Sequence, residues 1–526
     1  MEICRSSIRP INNSVRVVMT SPLESEVLII GAGIIGASIA RELSQYKVNV
    51  AVVEKSPDCF TGQTKSSHGF VYSGRSLNMA FSLVLKSVMA PGAHLWEPDS
   101  MKIRLGTEGY ELFGPLAKRL EVPNQPAKCL IIARNDEELK GLKQLYEIAD
   151  LMGIKEDVQW VNRQDVLAME PNITQEVRAA LYEEKWMKSI FPPEYAIANM
   201  ENAKDNGVIF LFGSEVRGIR TLDGGFVIDT TKGSIRSEYI VNAAGLFADK
   251  VADMAGARDE WGLVHNRTQM SLLDKRLNKE LFKSVNCIQA VPRPGFFEGI
   301  QLQVHGNPYV FCGGYNSITD KQATETRREW FKENIEYGRR LMPVFSERDI
   351  ITAFVGIRSF NTRDPEDHII EFSRKHPKFL NAVIRLPGFS VSAAVAKYIV
   401  NLLGNQGLHL AEKSNYYPFR KNIPRFAELS NEERNALILQ DPKFGHVVCR
   451  CETVTEGEIV EAIRRGARTV QGIQFRTRAG MGRCQRGFCG PRVVEILARE
   501  LGVPQTEVTF KGPGSEILKY RSKELL

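Results

Sequence analysis

The first regular pattern of hydrophobic positions lies in residues 26–54. An apolar run rich in β-branched residues, Val27–Ile30, meets a group of glycines, a helical pattern follows, and a second apolar run covers Val48–Val53. A strand, a helix and a second strand in this order are typical of a βαβ unit. The pattern therefore predicts one such unit near the start of the chain.

Between about residue 100 and residue 345, short β-rich runs alternate with amphipathic patterns. They predict a helix over Asp136–Met152 and strands over Val208–Phe212 and Glu238–Val241. A glycine opens a further predicted helix at residues 387–403. This alternation predicts an α/β protein whose middle segment forms a separate substrate layer with a mixed sheet.

The pattern changes after the last of these helices. Residues Asn415–Gln440 are polar and contain two prolines, which is typical of a connector on the surface, and a compact segment rich in cysteine and arginine follows. We therefore expect a flexible N-terminal tail at 1–22, a main α/β domain at 23–412, a linker at 413–445, a cysteine-rich domain at 446–500 and a C-terminal tail at 501–526.

Composition excludes several classes of protein. Hydrophobic residues make up 43% and charged residues 25% of the 526 residues, which is ordinary for a globular protein and excludes disorder as the main state. The net charge of +7 comes without a concentrated basic patch that is interleaved with aromatic residues. No nucleic-acid partner is therefore expected.

No run reaches the ~18 uninterrupted apolar residues of a membrane span, so we expect a cytoplasmic protein, with peripheral attachment to a membrane left open. The N-terminal segment carries Arg5, Arg9 and Arg16 and lacks the apolar core of a secretory signal. A disordered tail is expected there, and a transit peptide for a mitochondrion or related organelle is the alternative.

The first candidate site is the glycine motif Gly31-Ala-Gly33-Ile-Ile-Gly36, between the first strand and the first helix. Glu54 ends the next strand, 18 residues after Gly36. In such a motif Gly31 permits a tight turn, Gly33 lets a pyrophosphate approach the backbone, and Gly36 lets helix and strand pack closely. The helix N-terminus offers N–H groups to phosphates, and Glu54 can accept hydrogen bonds from ribose hydroxyls. The motif predicts a dinucleotide site and leaves FAD and NAD open.

The second candidate site consists of four clustered cysteines. Cys449-Arg-Cys451 is followed after 32 residues by Cys484-Gln-Arg-Gly-Phe-Cys489. Four thiolates in two close pairs suit an iron–sulfur cluster or a zinc ion, although a C-x-C pair is unusual for zinc. Several glycines near the second pair let backbone amides approach the sulfur atoms.

Other segments match a known family. The run from Tyr239 to Asp249, the Pro387-Gly388-Phe-Ser390 turn and the loop Gly62–Gly74 resemble the flavin-contact segments of the D-amino-acid-oxidase-like FAD superfamily. The resemblance covers roughly residues 24–405. It implies FAD as the cofactor, a Rossmann-like FAD-binding domain with an inserted mixed-sheet substrate domain, and an oxidoreductase activity. The residues it implies at the flavin are Ser66, Ser67, Gly245 and Gly388, and His68 stands in the same loop.

The cysteine-rich segment, from Arg476 to Pro491, resembles the bacterioferritin-associated-ferredoxin-like [2Fe–2S] module. It is similar to the version fused to FAD-dependent glycerol-3-phosphate dehydrogenases of the anaerobic type. The resemblance implies that the four cysteines ligate a [2Fe–2S] cluster. Arg486 departs from it, because the family tends to have glycine there. Between Cys449 and Arg499 there are ten arginines and five glutamates. These charges form either a solvated surface or a positive field, and such a field would stabilise the reduced cluster or bind an acidic partner.

The same resemblance marks candidate substrate residues. Arg358 matches the arginine of a Gly-x-Arg-Pro motif, with Ser359 in place of the proline, and a guanidinium suits a phosphate or a carboxylate. His265 precedes the strand that brings the substrate domain to the flavin, and we expect it to accept the hydroxyl proton. A structural role is the alternative for both residues, and His305 is a weaker candidate base.

Two departures bear on activity. About twenty extra residues, Arg75–Leu95, follow the flavin loop. Val383, Arg385 and Leu386 replace smaller residues in a turn that lies by the flavin in the family. The extra residues are either a lid or an artefact of the gene model, and the larger side chains crowd the turn.

The resemblance implies a dehydrogenase that oxidises sn-glycerol 3-phosphate to dihydroxyacetone phosphate and passes electrons through FAD and [2Fe–2S] to a quinone or a protein acceptor. Further dehydrogenase subunits are expected partners. The alternatives are an L-2-hydroxyglutarate or amino-acid/opine dehydrogenase of the same fold, and an electron-transfer subunit without catalytic activity.

Overall fold

The computed structural model describes residues 22–79, 99–293, 296–314 and 316–525. Two compact units divide the chain: a main unit of residues 24–228 and 236–422, and a smaller unit that contains the residues from 423 onward and the hairpin tip Asp229–Ile235. The predicted N-terminal tail, apart from its last residue, and most of the predicted insertion at 75–95 lie outside the described residues.

The described strands, in chain order, are β1 Leu23–Ile30, β2 Val50–Glu54, β3 Phe70–Tyr72, β4 Asn124–Pro126, β5 Cys129–Ala133, β6 Val158–Asn162, β7 Ala179–Glu183, β8 Met187–Ile190, β9 Ile209–Phe212, β10 Val216–Leu222, β11 Gly225–Thr230, β12 Gly233–Asn242, β13 Leu263–Leu273, β14 Cys287–Ala290, β15 Phe296–Leu302, β16 Pro308–Gly314, β17 Asn316–Ile318, β18 Ile350–Asn361, β19 Ile369–Phe372, β20 Phe379–Val383, β21 Val447–Cys449 and β22 Val454–Thr455.

The described α-helices are α1 Ile34–Leu43, α2 Met101–Arg119, α3 Asp136–Leu151, α4 Arg163–Met169, α5 Pro192–Asp205, α6 Ala248–Met254, α7 Asn278–Leu281, α8 Arg328–Leu341, α9 Gly388–Asn405, α10 Asn431–Gln440, α11 Glu456–Arg464, α12 Val470–Thr477 and α13 Gly490–Leu501. The predicted helices at 136–152 and 387–403 correspond to α3 and α9.

The first sheet carries the predicted βαβ unit. Its strand order is β10-β11-β12-β1-β2-β9, and β20 pairs with β12 in parallel. β1 runs parallel to β2, with Val27 opposite Val50, and Val27–Ile30 are buried. Continuous apolar runs are needed here because helices cover parallel strands on both faces.

The second sheet has nine strands in the order β17-β13-β16-β15-β14-β5-β7-β6, with β18 paired to β13. β13 and β18 are antiparallel over most of their length, which places Asn266 opposite Arg358 and Thr268 opposite Gly356. Parallel and antiparallel pairs occur in both sheets. The α/β fold with a mixed-sheet substrate layer is therefore confirmed.

The main unit extends beyond the predicted boundary at residue 412. Arg420 Nε donates to Glu201 Oε2 (2.7 Å), and Arg420 Nη1 donates to the carbonyl of Leu120 (3.0 Å). Asn422 N donates to Glu121 Oε2 (2.8 Å). These bonds hold the first part of the predicted linker on the main unit.

The smaller unit folds around its own core. The hairpin β21–β22 leads into α11, which begins with a capping box between Thr455 and Glu458. Val508 is buried in this core and Phe510 packs against it, so the unit continues beyond the predicted boundary at residue 500. The predicted linker also contains a helix, α10.

Within the described ranges, no helix combines the length and the apolar composition that crossing a membrane would require.

Glu183, the last residue of β7, is a buried carboxyl group. Its oxygens accept hydrogen bonds from Ser76 Oγ (3.1 Å) and from Leu77 N (3.1 Å). Burial raises the pKa of Glu183 from an ordinary 4.5 to about 7. The group therefore titrates at a higher pH in the folded chain than in the unfolded chain.

We expect Glu183 to make stability depend on pH. Because its folded pKa is the higher one, its contribution is fully present below pH 4.5 and is lost as the pH rises through about 7. Glu183→Gln should remove this dependence and, above pH 7, should raise the free energy of unfolding by up to about 3 kcal/mol. Thermal unfolding at several pH values checks this. Glu176 is an exposed carboxyl group before the same strand, so Glu176→Gln should behave as wild type. If the free energy of unfolding of Glu183→Gln depends on pH as steeply as that of wild type, the expectation is wrong.

Candidate functional site

One cavity in the main unit collects most of the predicted flavin and substrate residues. It has an empty volume of about 1280 Å³, part of it open to solvent. The predicted residues that line it are Gly31, Gly33, Glu54, Ser66, Ser67, Gly245, Arg358 and Gly388. Gly36 and His265 lie outside this lining.

The glycine motif forms the tight turn between β1 and α1. Gly31 has φ +103°, and a Cβ atom there would lie 2.5 Å from the carbonyl oxygen of Ala243. A Cβ atom at Gly36 would lie 1.9 Å from the carbonyl oxygen of Gly31. Gly36 therefore permits a close approach between the start of the helix and the turn that precedes it, while Gly33 borders the cavity.

Two charged side chains, at the last position of β2 and directly after it, line the cavity. Glu54 accepts hydrogen bonds from Ala32 N (3.0 Å) and from Ser56 N (2.9 Å), which orient its carboxylate beside the glycine turn. A carboxylate can accept about four hydrogen bonds, so it retains capacity for ribose hydroxyls. The Lys55 ammonium lies 3.4 Å from the ring centroid of Phe247, and burial lowers its pKa.

The predicted flavin loop contacts β18. Gln63 Nε2 donates to the carbonyl of Ile357 (2.6 Å), and a Cβ atom at Gly356 would lie 2.7 Å from the carbonyl oxygen of Ser66. Gly356 is needed because the loop backbone passes so close to the strand. This contact brings Ser66 and Ser67 into the same cavity as Arg358.

Arg358 is half-buried on the cavity side of β18. Its Nη1 donates to Thr268 Oγ1 (2.6 Å), and its guanidinium carbon lies 5.2 Å from the ring centroid of Phe297. The side chain is thus oriented by a neighbouring strand and by an aromatic face. A positively charged planar group held in this way can bind a phosphate or a carboxylate.

His68 lines the same cavity. Burial, with a smaller contribution from the Arg358 guanidinium, lowers the pKa of His68 to about 3, so the imidazole is neutral at neutral pH. Its Nδ1 accepts a hydrogen bond from Phe70 N (3.2 Å). The ring hydrogen therefore lies on Nε2, where it can donate to a ligand oxygen.

His265 lies on the opposite face of β13 from Thr268, because side chains alternate along a strand. It lines a different cavity, together with Arg267 and Lys321. Its Nδ1 is 3.1 Å from Ser359 Oγ, and burial and then Lys321 lower its pKa. The structure therefore does not bring the two predicted catalytic residues, His265 and Arg358, into one cavity.

The altered turn at 383–386 directs its charge away from the cavity. The Arg385 guanidinium lies 3.9 Å from the ring centroid of Phe360, and its Nε donates to the carbonyl of Pro365 (2.8 Å). Ile384 and Leu386 line the cavity instead. A Cβ atom at Gly388, the first residue of α9, would meet no atom within 4 Å, so this helix start faces open space.

These residues fit FAD. The cradle at Gly31 and Gly33, the oriented carboxylate of Glu54 and the open start of α9 border one continuous space. The space accepts a long ligand with phosphates, ribose hydroxyls and an apolar ring system.

The four clustered cysteines meet in the smaller unit as two pairs. The thiol of Cys449 pairs with that of Cys489, and the thiol of Cys451 pairs with that of Cys484. Cys449 and Cys489 are buried, whereas Cys451 is exposed. The hydrogen bond with Cys489 lowers the pKa of Cys449 to about 6. Such a thiol is readily held as a thiolate ligand.

Backbone N–H groups approach these sulfur atoms. Gly480 N lies 3.4 Å from Cys449 Sγ, and the backbone N–H groups of Phe488 and Arg486 lower the pKa of Cys484. A Cβ atom at Gly482 would lie 2.4 Å from Cys451 Cβ, which explains a glycine there. N–H donors to sulfur are the groups that stabilise and tune a thiolate-ligated cluster.

The paired arrangement fits [2Fe–2S] better than zinc. A zinc ion takes four ligands around one point, whereas each iron of a [2Fe–2S] cluster takes two thiolates. Two separate thiol pairs with inward N–H donors therefore suit the cluster.

Sequence reasoning did not assign a role to two residues of the flavin cavity, Gln63 and His68, or to Thr268, which orients Arg358. His68 was visible in the flavin loop, but nothing in the sequence indicated that it would lie near Arg358. For Thr268 a signal existed, because alternation along β13 places it on the opposite face from His265. Gln63 contacts β18 only through the tertiary fold.

Comparison with known proteins agrees with this geometry. A model of the FAD dependent oxidoreductase family matches residues 26–402, and a model of the BFD-like [2Fe-2S] binding domain matches residues 447–499. Glycerol 3-phosphate dehydrogenase of Caloramator mitchellensis is 39% identical over 501 residues, which cover 95% of this chain and 99% of that protein. One subunit of the anaerobic glycerol-3-phosphate dehydrogenase of Escherichia coli (strain K12) is 22% identical over 511 residues, covering 90% of this chain and 88% of that protein.

A solved structure is also similar. Dithionite-reduced L-alpha-glycerophosphate oxidase from Mycoplasma pneumoniae with FAD bound matches with a TM-score of 0.66 and 25% identity, over 76% of this chain and 99% of that chain. The matched family model spans most of this chain, and the predicted cofactors, FAD and a [2Fe–2S] cluster, are confirmed. The chain thus belongs to the FAD-dependent oxidoreductase family and carries a C-terminal BFD-like [2Fe–2S] binding domain.

Proposed function

We propose that the protein is a dehydrogenase that oxidises sn-glycerol 3-phosphate to dihydroxyacetone phosphate. The observation that carries the proposal is the half-buried Arg358 guanidinium in the same cavity as the dinucleotide residues Gly31, Gly33 and Glu54. An anion-binding group in this cavity supports the binding of a phosphate ester beside the flavin site. The relative that is 39% identical is a glycerol 3-phosphate dehydrogenase, which supports this choice of substrate.

The chain's own residues would bind and orient the substrate. Arg358, oriented by Thr268, binds the phosphate. His68 donates from Nε2 to a substrate oxygen and stays neutral, because burial disfavours its charged form. The apolar side chains of Ile384, Leu386 and Phe389 exclude water from part of the cavity. FAD, when bound, supplies the hydride acceptor, and the cluster supplies a one-electron carrier.

The role of base predicted for His265 stays a prediction, and two variants test it against His68. We expect His68→Leu to lower kcat/KM for glycerol 3-phosphate by about tenfold to a hundredfold, because the cavity loses a hydrogen-bond donor. His265→Gln should stay within about twofold of wild type, because its side chain faces the other cavity. Steady-state kinetics with a dye acceptor measures both. A loss confined to His265→Gln, with an altered pH profile of kcat, would support the base role instead.

The experiment that tests the proposed function is an anaerobic visible spectrum of the holoprotein before and after glycerol 3-phosphate is added. We expect the flavin absorption to bleach and the cluster absorption to fall. L-2-Hydroxyglutarate and amino acids serve as controls, since a guanidinium binds a carboxylate equally well. If dithionite reduces both centres while glycerol 3-phosphate does not, the proposed substrate is wrong. Bleaching by a control substrate would identify the alternative dehydrogenase.

The electron acceptor is proposed to be a quinone or a protein. Cys451 is exposed, and the side chain of Phe488, between Cys484 and Cys489, is 82% exposed, so an acceptor can reach this centre from solvent. The relative from Escherichia coli is named as one subunit of its enzyme, which supports further subunits as partners. A cytoplasmic location, with peripheral attachment to a membrane, remains part of the proposal.

A further inference from the structure

Arg486 has a backbone conformation that does not favour its side chain. It lies between Cys484 and Cys489 with φ +78°, in the left-handed region. Glycine adopts this region without a steric penalty, whereas a residue with a Cβ atom is strained there. Strain of this kind at a functional centre points to a role for the side chain.

The Arg486 side chain has a defined position on the cysteine loop. A Cβ atom at Gly480 would lie 2.3 Å from Arg486 Cγ, so the two residues are in close contact. The guanidinium carbon lies 4.6 Å from the ring centroid of Phe510, and Nη1 is 3.4 Å from Gln474 Oε1. Gln474 is buried. The charge is therefore held in one place and does not move freely in solvent.

The held charge lies on the loop that carries two of the cluster ligands. Arg486 is two residues after Cys484 and three residues before Cys489. Gly480, which the side chain contacts, also points its N–H at Cys449 Sγ. Glu452, an acid near Cys449, forms an ion pair with Arg478 (2.9 Å), so that pair adds little net charge.

We propose that Arg486 raises the reduction potential of the [2Fe–2S] cluster. Reduction adds one electron and lowers the net charge of the four-thiolate centre by one, without making or breaking a bond. A fixed positive charge beside two of the ligands favours the more negative state, and partial burial weakens the screening by solvent. The inference rests on cluster ligation by the four cysteines and not on the identity of the substrate.

The test compares three variants at this position in the full-length holoprotein. Arg486→Gly removes the charge and suits the left-handed backbone, Arg486→Gln removes the charge but keeps a polar side chain, and Arg486→Lys keeps the charge. A dithionite titration followed by electron paramagnetic resonance gives the midpoint potential of the cluster without any substrate. We expect the equilibrium constant for reduction to fall about tenfold in the Gly and Gln variants, which for one electron is about 59 mV. Arg486→Lys should keep most of the wild-type value.

Arg450→Gln is the matched control. Arg450 is exposed and adjoins Cys451, so solvent screens its charge and the expected shift is small. The proposal is overturned if the Gly and Gln variants keep the wild-type midpoint potential. It is also overturned if the potential of Arg486→Lys shifts as far as that of Arg486→Gly, because the packing of the arginine side chain and not its charge would then set the potential. If Arg486→Gly fails to retain iron, the midpoint potentials of Arg486→Gln and Arg486→Lys test the proposal, because these two variants differ in charge.

Discussion

Replacing Cys449 by serine is expected to remove the iron–sulfur centre while the flavin remains. Cys449 is buried, accepts a hydrogen bond from Gly480 N and pairs with Cys489, so its replacement removes one thiolate from the interior of the centre. Mutation of a residue that only supports a metal ligand typically lowers metal affinity by about 10- to 100-fold. Loss of a ligand itself costs more, so we expect the affinity for iron to fall by at least about 100-fold. The broad visible absorption of the cluster should disappear with the iron.

Loss of the cluster should also weaken the smaller unit. Cys449 and Cys489 belong to its core, and a metal centre that binds only the folded state stabilises that state. Iron analysis, the visible spectrum and a thermal unfolding curve measure these effects. Bleaching of the flavin by glycerol 3-phosphate should persist, because the cavity belongs to the main unit. Cys129→Ala, a buried cysteine of the main unit, is the control and should keep full iron content. A Cys449→Ser variant with wild-type iron would contradict the assignment of the ligands.

Arg358→Ala is expected to lower kcat/KM for glycerol 3-phosphate by about 10²- to 10³-fold. Removing one partner of a charge-assisted contact in a partly buried site costs about 2–5 kcal/mol, and 1.36 kcal/mol corresponds to a factor of ten. Arg358→Lys should recover only part of the loss, because an ammonium cannot bind a phosphate in the bidentate way of a guanidinium. Thr268→Val, which removes the hydrogen bond that orients Arg358, should cost about tenfold.

Steady-state kinetics and flavin content measure these variants together. Flavin content should stay at the wild-type level, since Glu54 and the glycine turn are untouched. Arg363→Ala is the matched control: this arginine pairs with Glu371 on the surface (2.8 Å) and should change kcat/KM little. If Arg358→Ala turns over glycerol 3-phosphate as fast as wild type, the assignment of Arg358 to the substrate site is wrong. If wild type does not turn over this substrate either, the result favours an electron-transfer subunit without catalytic activity.

The local chemistry of both cofactor sites could be predicted from the sequence. The spacing of Gly31, Gly33 and Gly36 depends only on how a strand turns into a helix, and the Cβ contacts at Gly31 and Gly36 agree with those roles. The spacing of the four cysteines similarly limits which metal centre they can form. Short-range constraints of this kind hold whatever the rest of the fold does.

The position of side chains relative to the substrate could not be predicted in the same way. His265 and Thr268 are close in sequence, but the pairing of β13 with β18 decides which of them shares a face with Arg358. That register is set by residues about 90 positions apart, for example Thr268 and Gly356. The predicted base therefore lies away from Arg358, and His68 lies in the cavity with it.

The sequence by itself determined the α/β class, the βαβ unit, the dinucleotide site and the four-cysteine centre, because each depends on residue types at short spacing. Only the tertiary structure decided three things: that Arg385 turns away from the cavity, that His68 shares the cavity with Arg358, and that Arg486 is held against the cysteine loop by Gln474 and Phe510. The physical reason is that each of these positions results from packing and strand register between distant segments, which no local pattern contains.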